Sequence, residues 1–410
     1  MTDMLSISEL LRLRMSAQQL GTQQVGTQQP PEPQPAQSPS AQASDETGAA
    51  RIAATARHML AVQGQGWRSA RWALGVRTPG TTVDDVHEAC NQGLIVRSWP
   101  MRGTIHLLPA ADIAWMQAVT NPRVLAGAPK RREFLGITDA VLDRLVETSL
   151  SALHAHTSLD RDELAALWSD AGIEWQSNWR YHLIWWLCQN GLAVFGPVSA
   201  DGEPRLVLAS RWLTRSRTLS GDEALAEFAS RYAAARGAVT AKDLAWWAGI
   251  TATTAKRALM LASESGALVT VEVQASEDQA TTRPAPHWAS PTALNALQGT
   301  EIEGGEIEGD WLLLPAFDEH LLGYQDRAAQ LDPAHFERIV PGRNGMFLAT
   351  VVHAGRVVAT WKKSPRKADG LAATALPGYD LGSGLPALQQ RAAEWSAFQG
   401  VARLPFTLAS

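Results

Sequence analysis

Two glutamines separated by one glycine, Gln63 and Gln65, stand in the stretch L-A-V-Q-G-Q-G-W (Leu60 to Trp67), where a helical pattern stops. A carboxamide is a poor acid, a poor base and a poor nucleophile, but its oxygen accepts and its nitrogen donates hydrogen bonds. Such a pair can hold a water or present partial negative charge, so it suits a reaction that asks for little proton transfer from the protein. Read as structure alone, Gly64 and Gly66 are breakers that end the helix, and the glutamines are capping or solvated side chains. A motif this short decides nothing by itself. Other chemistries have less support. The chain has no phosphate loop, no dinucleotide glycine fingerprint and no Gly-x-Ser-x-Gly elbow, which leaves nucleotide hydrolysis, hydride transfer and α/β-hydrolase catalysis without a basis. His154 and His156 point apart if they lie on a helix, so no metal or other cofactor is expected. Cys90 and Cys188 lack Cys-x-x-Cys spacing and read as core.

The 410 residues carry a formal net charge of -5 and 45% hydrophobic residues, the balance of a folded globular chain. Contact with nucleic acid must then come from local basic clusters. Two exist. Arg51, Arg57, Arg68, Arg71 and Arg77 occur with no intervening acid, as do Arg356, Lys362, Lys363, Arg366 and Lys367. An acidic run, Glu301 to Asp310, supplies much of the opposite sign. Any one such run is ordinarily a solvated face. With no apolar stretch long enough to span a bilayer and no secretory leader, a cytoplasmic protein is expected.

Stepping through the chain, residues 21–48 are rich in Gln, Pro, Ser and Thr and read as a disordered insertion behind a short amphipathic helix. Three times thereafter, helical patterns lead to a glycine (Gly93, Gly191, Gly266) and then to β-prone runs. Helix-helix-helix-hairpin is the plan of a winged helix, and a generic α+β protein is the competing reading. The expected fold is therefore α+β: winged helices over 1–135, 136–215 and 216–298, then a small β-barrel-like domain over 299–410. Many winged helices bind DNA and others only mediate protein contacts.

Four stretches extend this reading: V-Q-G-Q-G-W…W-A-L-G-V-R (Val62 to Arg77), R-S-W-P-M-R-G-T-I-H-L-L (Arg97 to Leu108), L-L-P-A-F-D-E-H-L-L-G-Y-Q-D-R (Leu313 to Arg327) and N-G-M-F…V-V-A-T-W (Asn344 to Trp361). In this order, over most of the chain, they resemble the AlkZ-like family of winged-helix DNA glycosylases. The resemblance implies three tandem winged helices and a β-barrel around a concave DNA-binding surface. It also implies excision of N-alkylated purines, including bulky adducts and interstrand crosslinks, by a Gln-x-Gln or Gln-x-Asp motif matched here by Gln63 and Gln65. In the family the middle residue is usually larger and the following one is often Asp. Gly64 is therefore expected to loosen the backbone that aims the carboxamides.

The chemistry agrees with the residue types. A purine alkylated at N7 or N3 is cationic and leaves as a neutral base, so no strong general acid is needed. Fixed carboxamide oxygens suffice to hold a water and to favour an oxocarbenium-like sugar. Gln65 is assigned to the water and Gln63 to its support. Candidate DNA contacts are Trp67 and Arg68, then Arg102, Thr104 and His106 along one strand face, and Tyr324, Asp326 and Arg327. The basic hairpin residues Arg356, Lys362 and Lys363 complete the set. Asp326 is the rival base. The expected partner is double-stranded DNA carrying alkylated purines, met by a monomer. The alternatives are a non-catalytic winged-helix regulator, in which the glutamines only cap a helix, and a protein-interaction scaffold.

Overall fold

The structure, a computed structural model, describes residues 4–21, 46–274, 285–298, 311–364 and 370–409. All but the edges of the expected insertion, the acidic run, Arg366 and Lys367 lie outside the described residues.

Three units share one element order. The first has helices Gly48–Met59, Trp67–Gly75 and Val83–Asn91, then strands Ile95–Met101 and Thr104–Pro109. The second has helices Asp139–Ala155, Arg161–Asp170 and Trp179–Gln189, then strands Ala193–Val198 and Pro204–Leu208. The third has Gly221–Arg236, Ala241–Ala248 and Ala252–Glu264, then Val269–Val273 and His287–Ala289. Local chemistry fixes the boundaries. Capping boxes start one helix in each unit, through Thr82 with Asp85, Asp160 with Glu163 and Thr240 with Asp243. Gly93, Gly191 and Gly266 follow the last helices in the left-handed region, at φ of 65°, 68° and 77°, where a side chain would clash.

The units do not stay separate. The first two hairpins fuse into one antiparallel sheet, ordered Val62–Gln63, Thr104–Pro109, Ile95–Met101, Ala193–Val198, Pro204–Leu208, and joined where Arg97 faces Phe195. Strand Met4–Leu5 pairs in parallel with Val269–Val273, covering an edge of the third hairpin. The following helix, Ile7–Ala17, buries Leu10 and Leu13 with Val271, Ala289 and Leu294. The N-terminal segment thus packs with the third unit, and its end also reaches the first, where Ala17 O accepts from His58 Nε2 at 2.6 Å and Gln18 O from Arg77 Nε at 3.0 Å. Two helices, Ile113–Leu125 and Ala128–Leu135, had no counterpart in the sequence reading.

The expected barrel is not formed. The C-terminal strands make an open sheet ordered Phe406–Leu408, Leu371–Ala375, Arg356–Lys363, Thr350–His353, Trp311–Leu314. Leu371–Ala375 and Phe406–Leu408 pair in parallel, and the crossover that parallel pairing requires is the helix Leu385–Phe398. That helix and the first unit share one core with the sheet: Ile52, Trp72 and Leu74 lie with Leu313, Val351, Trp361 and Phe398. The Trp72 and Trp361 indoles donate to the carbonyls of Leu313 and Leu314, each at 2.7 Å. Helix packing therefore takes the place of strand closure. Among the described residues, no helix is long and apolar enough to cross a membrane.

Candidate active site

The glutamine pair begins at a strained bend. Leu60, fully buried, has φ of 63°, an uncommon conformation for a branched residue that costs about 1–3 kcal/mol unless its surroundings enforce it. Here Arg236 enforces it, donating to the carbonyls of Met59 at 3.3 Å and Ala61 at 3.2 Å on either side. The chain leaves the bend as the two-residue strand Val62–Gln63, with Gln63 opposite His106. Gln63 is thus a sheet residue, where a capping or solvated side chain was the plain alternative.

The Gln63 carboxamide grips both the backbone and the side chain of Gln65. Gln65 N–H donates to Gln63 Oε1 at 2.7 Å, and Gln63 Nε2 donates to Gln65 Oε1 at 3.1 Å. Gln63 is buried and Gln65 exposed, so one fixes the other at the surface. Gln65 Oε1 keeps a second lone pair for a ligand. Gly64 between them is clamped: its N–H donates to Ile105 O at 2.8 Å and its carbonyl accepts from Arg97 Nε at 2.9 Å. A Cβ at position 64 would sit 2.9 Å from the His106 backbone. The glycine permits a close approach of two chains, and the expected loosening gives way to a tight fit.

Beneath the pair lies Glu319, fully buried. Its Oε1 accepts the Gln63 N–H at 3.0 Å; its Oε2 accepts from Arg236 and from the Trp247 indole, both at 2.8 Å. Neighbouring Asp318 holds Arg77 through two bonds of 2.8 Å and caps the one-turn helix Glu319–Leu322 by accepting the His320 N–H at 2.8 Å. Burial pushes the Asp318 carboxyl upward, but Arg77 and the His320 N–H outweigh it and hold it below the usual range. Two of the sequence stretches singled out above, those ending at Arg77 and containing Asp318 and Glu319, therefore meet in one buried network.

The first hairpin turns through Arg102 and Gly103, at φ of 54° and 65°, the two-residue turn that suits strand twist. Arg102 lies over the Trp246 ring, 4.9 Å from its centre, and approaches His106 Nε2 at 3.4 Å. His106 is fully buried, and its Nδ1 donates to Thr104 O at 2.9 Å. Burial, with Arg102 beside it, drives the imidazole down to about 3, so it stays neutral and is no proton donor at neutral pH.

A family model described as "DNA glycosylase AlkZ-like" matches residues 56–396. The chain belongs to the AlkZ-like DNA glycosylases. A curated relative, the "Interstrand DNA cross-link repair glycosylase" of Streptomyces sahachiroi, is 24% identical over 359 residues, covering 85% of this chain and 90% of the relative. The solved structure of Streptomyces sahachiroi DNA glycosylase AlkZ superposes with a TM-score of 0.72 at 22% identity, covering 99% and 100% of the two chains. The chain is thus a DNA glycosylase with the overall fold of that structure.

The other expected contacts of this AlkZ-like chain divide by exposure. Arg68, Arg356, Lys362 and Lys363 are exposed, and Thr104 is half-buried beside the hairpin turn. Three expectations are corrected. Trp67 is buried, its indole donating to Gly202 O at 2.7 Å while His87 stacks on the ring, so it has no open face for a base. His106 is sealed behind the strand. Tyr324 is fully buried, its hydroxyl donating to Arg236 O at 2.6 Å and accepting from Gln18 at 3.0 Å. Asp326 is exposed and caps its own loop by accepting the Ala328 N–H at 2.9 Å. The carboxylate that touches the pair is Glu319. Arg327, also on Trp246 at 4.5 Å, is half-buried, and burial lowers it to about 10, which leaves it charged. Sequence reasoning missed Glu319 and Arg236; the available signal was an acidic pair inside the apolar run from Leu313 to Leu322.

Proposed function

We propose that this glycosylase hydrolyses the N-glycosidic bond of cationic, N-alkylated purines in double-stranded DNA, using a water held by Gln65 with Gln63 as its support. It acts as a cytoplasmic monomer whose three helix-helix-helix-hairpin units are winged helices lining the DNA. The name of the Streptomyces sahachiroi relative supports extending the substrates to interstrand crosslinks and bulky adducts. One observation carries the reading. The surface residue Gln65 is held at two points by a buried glutamine, its carboxamide oxygen accepting from Gln63 Nε2 and its backbone N–H donating to Gln63 Oε1, and the Gln63 backbone rests on a buried carboxylate. Such a mount fixes an acceptor before substrate arrives, which is the condition for electrostatic catalysis. A capping side chain of a DNA-binding regulator would need no such floor. Because the leaving base is already cationic, the site needs no acid, and a neutral base in undamaged DNA is not expelled.

The test is a duplex with a single 7-methylguanine, treated with alkali to cleave at abasic sites. The wild type is expected to cut at the lesion. Gln65→Ala is expected to slow single-turnover excision about 10²–10³-fold, the loss seen when one preorganised group is removed, with DNA affinity changed little. Absence of abasic sites with the wild type, or parallel losses of rate and affinity in the variant, would overturn the proposal. Asp326→Asn is expected to keep near-wild-type excision; a larger loss there than in Gln65→Ala would make Asp326 the base.

A further inference from the structure

Between the tip of the first hairpin and the helix-turn-helix of the third unit lies an open trough of about 650 Å³, lined by Arg102, Arg123, Lys242, Trp246, Gly249 and Gln325 among others. The two units meet closely here: a Cβ at Gly249, which has φ of 72°, would fall 2.9 Å from Arg102 Cγ. We propose that this trough binds a backbone phosphodiester of the DNA strand flanking the lesion, a subsite distinct from the glutamine pair. The proposal rests on the DNA-acting reading above and adds where the strand is gripped.

The charges carry the argument. Arg123 and Lys242 are exposed and, with Arg102, take part in no ion pair among the described residues. Arg102 and Arg327 share the Trp246 ring, at 4.9 and 4.5 Å, so two like charges are held close together. The nearby carboxylates are already engaged. Asp243 is buried and accepts from the backbone of Thr240 and Gln325, at 2.9 and 2.8 Å, and Asp326 caps its own loop. Convergent cations without carboxylate partners match a phosphate, for which guanidinium and ammonium are the usual donors. An open trough with charge on opposing elements fits a strand passing through it better than a free terminal phosphate.

The experiment measures binding of an undamaged 25-mer duplex over a range of salt concentrations, so that it does not depend on excision. Lys242→Ala and Arg123→Ala are each expected to weaken binding roughly 3–10-fold and to lower the slope of log K against log salt by about one. Arg144→Ala, the same charge change on the first helix of the second unit, is the control and is expected to bind as wild type. Wild-type affinity and slope in both trough variants would overturn the proposal, as would an equal loss in the Arg144 control, which would mark a general charge effect. Loss of binding in the trough variants with no excision by any form would sink the glycosidic reading and leave the trough standing. Excision with unaffected binding would do the reverse.

Discussion

The floor under Gln63 and the trough around Trp246 use the same residue types to opposite ends. In the floor every charge is matched: Glu319 with Arg236, Asp318 with Arg77, all four buried. In the trough, Arg102, Arg123 and Lys242 stand without ion-pair partners, and two of the three are exposed. A buried pair gains little net stability over a hydrophobic replacement, because desolvation cancels most of the attraction. It does fix geometry, and the price is paid in a part of the molecule that must not move. An exposed, unmatched cation fixes nothing but attracts an anion over a distance set by salt. On the proposed reading, the contrast separates holding a catalytic acceptor still from collecting DNA.

Breaking the floor is expected to give the largest effect. Glu319→Ala strands the Arg236 guanidinium inside the protein, and an uncompensated buried charge costs about 3–5 kcal/mol. It also removes the acceptor of the Gln63 N–H. Thermal unfolding should show a loss large enough to threaten folding at 37 °C. Glu319→Gln keeps the shape and one acceptor oxygen but not the charge. This variant is expected to remain folded at lower stability and to lose excision rate while binding undamaged duplex nearly as wild type does. Equal loss of rate and affinity would place Glu319 in general architecture and remove the distinction between the two regions.

A smaller effect is expected where the two chains of the site touch. Gly64→Ala brings a Cβ within 2.9 Å of the His106 backbone, so the strands must part by several tenths of an ångström. Overpacking of this kind costs about 1–3 kcal/mol. Gln63, which holds Gln65, sits on one of those strands, so single-turnover excision is expected to fall more than stability does. An active Gly64→Ala protein would show that the pair tolerates the looser backbone anticipated from sequence.

That position also shows what sequence can carry. Capping boxes, the glycines after helices and the repeated element order are local, and each was legible because its partners lie within a few residues. Glu319 lies 256 residues from Gln63, and no local pattern says which carboxylate will lie beneath a glutamine. The stretch from Leu313 to Arg327 is recognisable, yet only Tyr324, Asp326 and Arg327 within it stand out from the sequence as candidate contacts. The decisive residues, Asp318 and Glu319, are the inward half of it, and Tyr324 is inward too. A charge embedded in an apolar run signals a buried pair, and Arg77 and Arg236, at the ends of helices rich in alanine and aromatic residues, are its complement. The open C-terminal sheet was hidden for a different reason: closure depends on whether a helix or another strand covers the face, and strand patterns alone do not contain that choice.

The smallest effect is expected at His106, which joins the two regions by facing Gln63 across the sheet and Arg102 at the turn. Its imidazole titrates near 3 in the folded protein against about 6.5 in the unfolded chain. A folded value below the unfolded one means that the unfolded state takes up the proton first as pH falls. Stability is therefore full above about 6.5 and is lost progressively below it. Buried His320, lowered to about 4, acts in the same direction. Between pH 7 and 6 each contributes a loss of roughly 0.7 kcal/mol. His106→Asn retains a donor for the Thr104 carbonyl and removes the titration. Its melting temperature is expected to decline less steeply with acidification than that of the wild type. An unchanged slope would mean that His106 is not held neutral between the floor and the trough, and that the two regions are not joined through it.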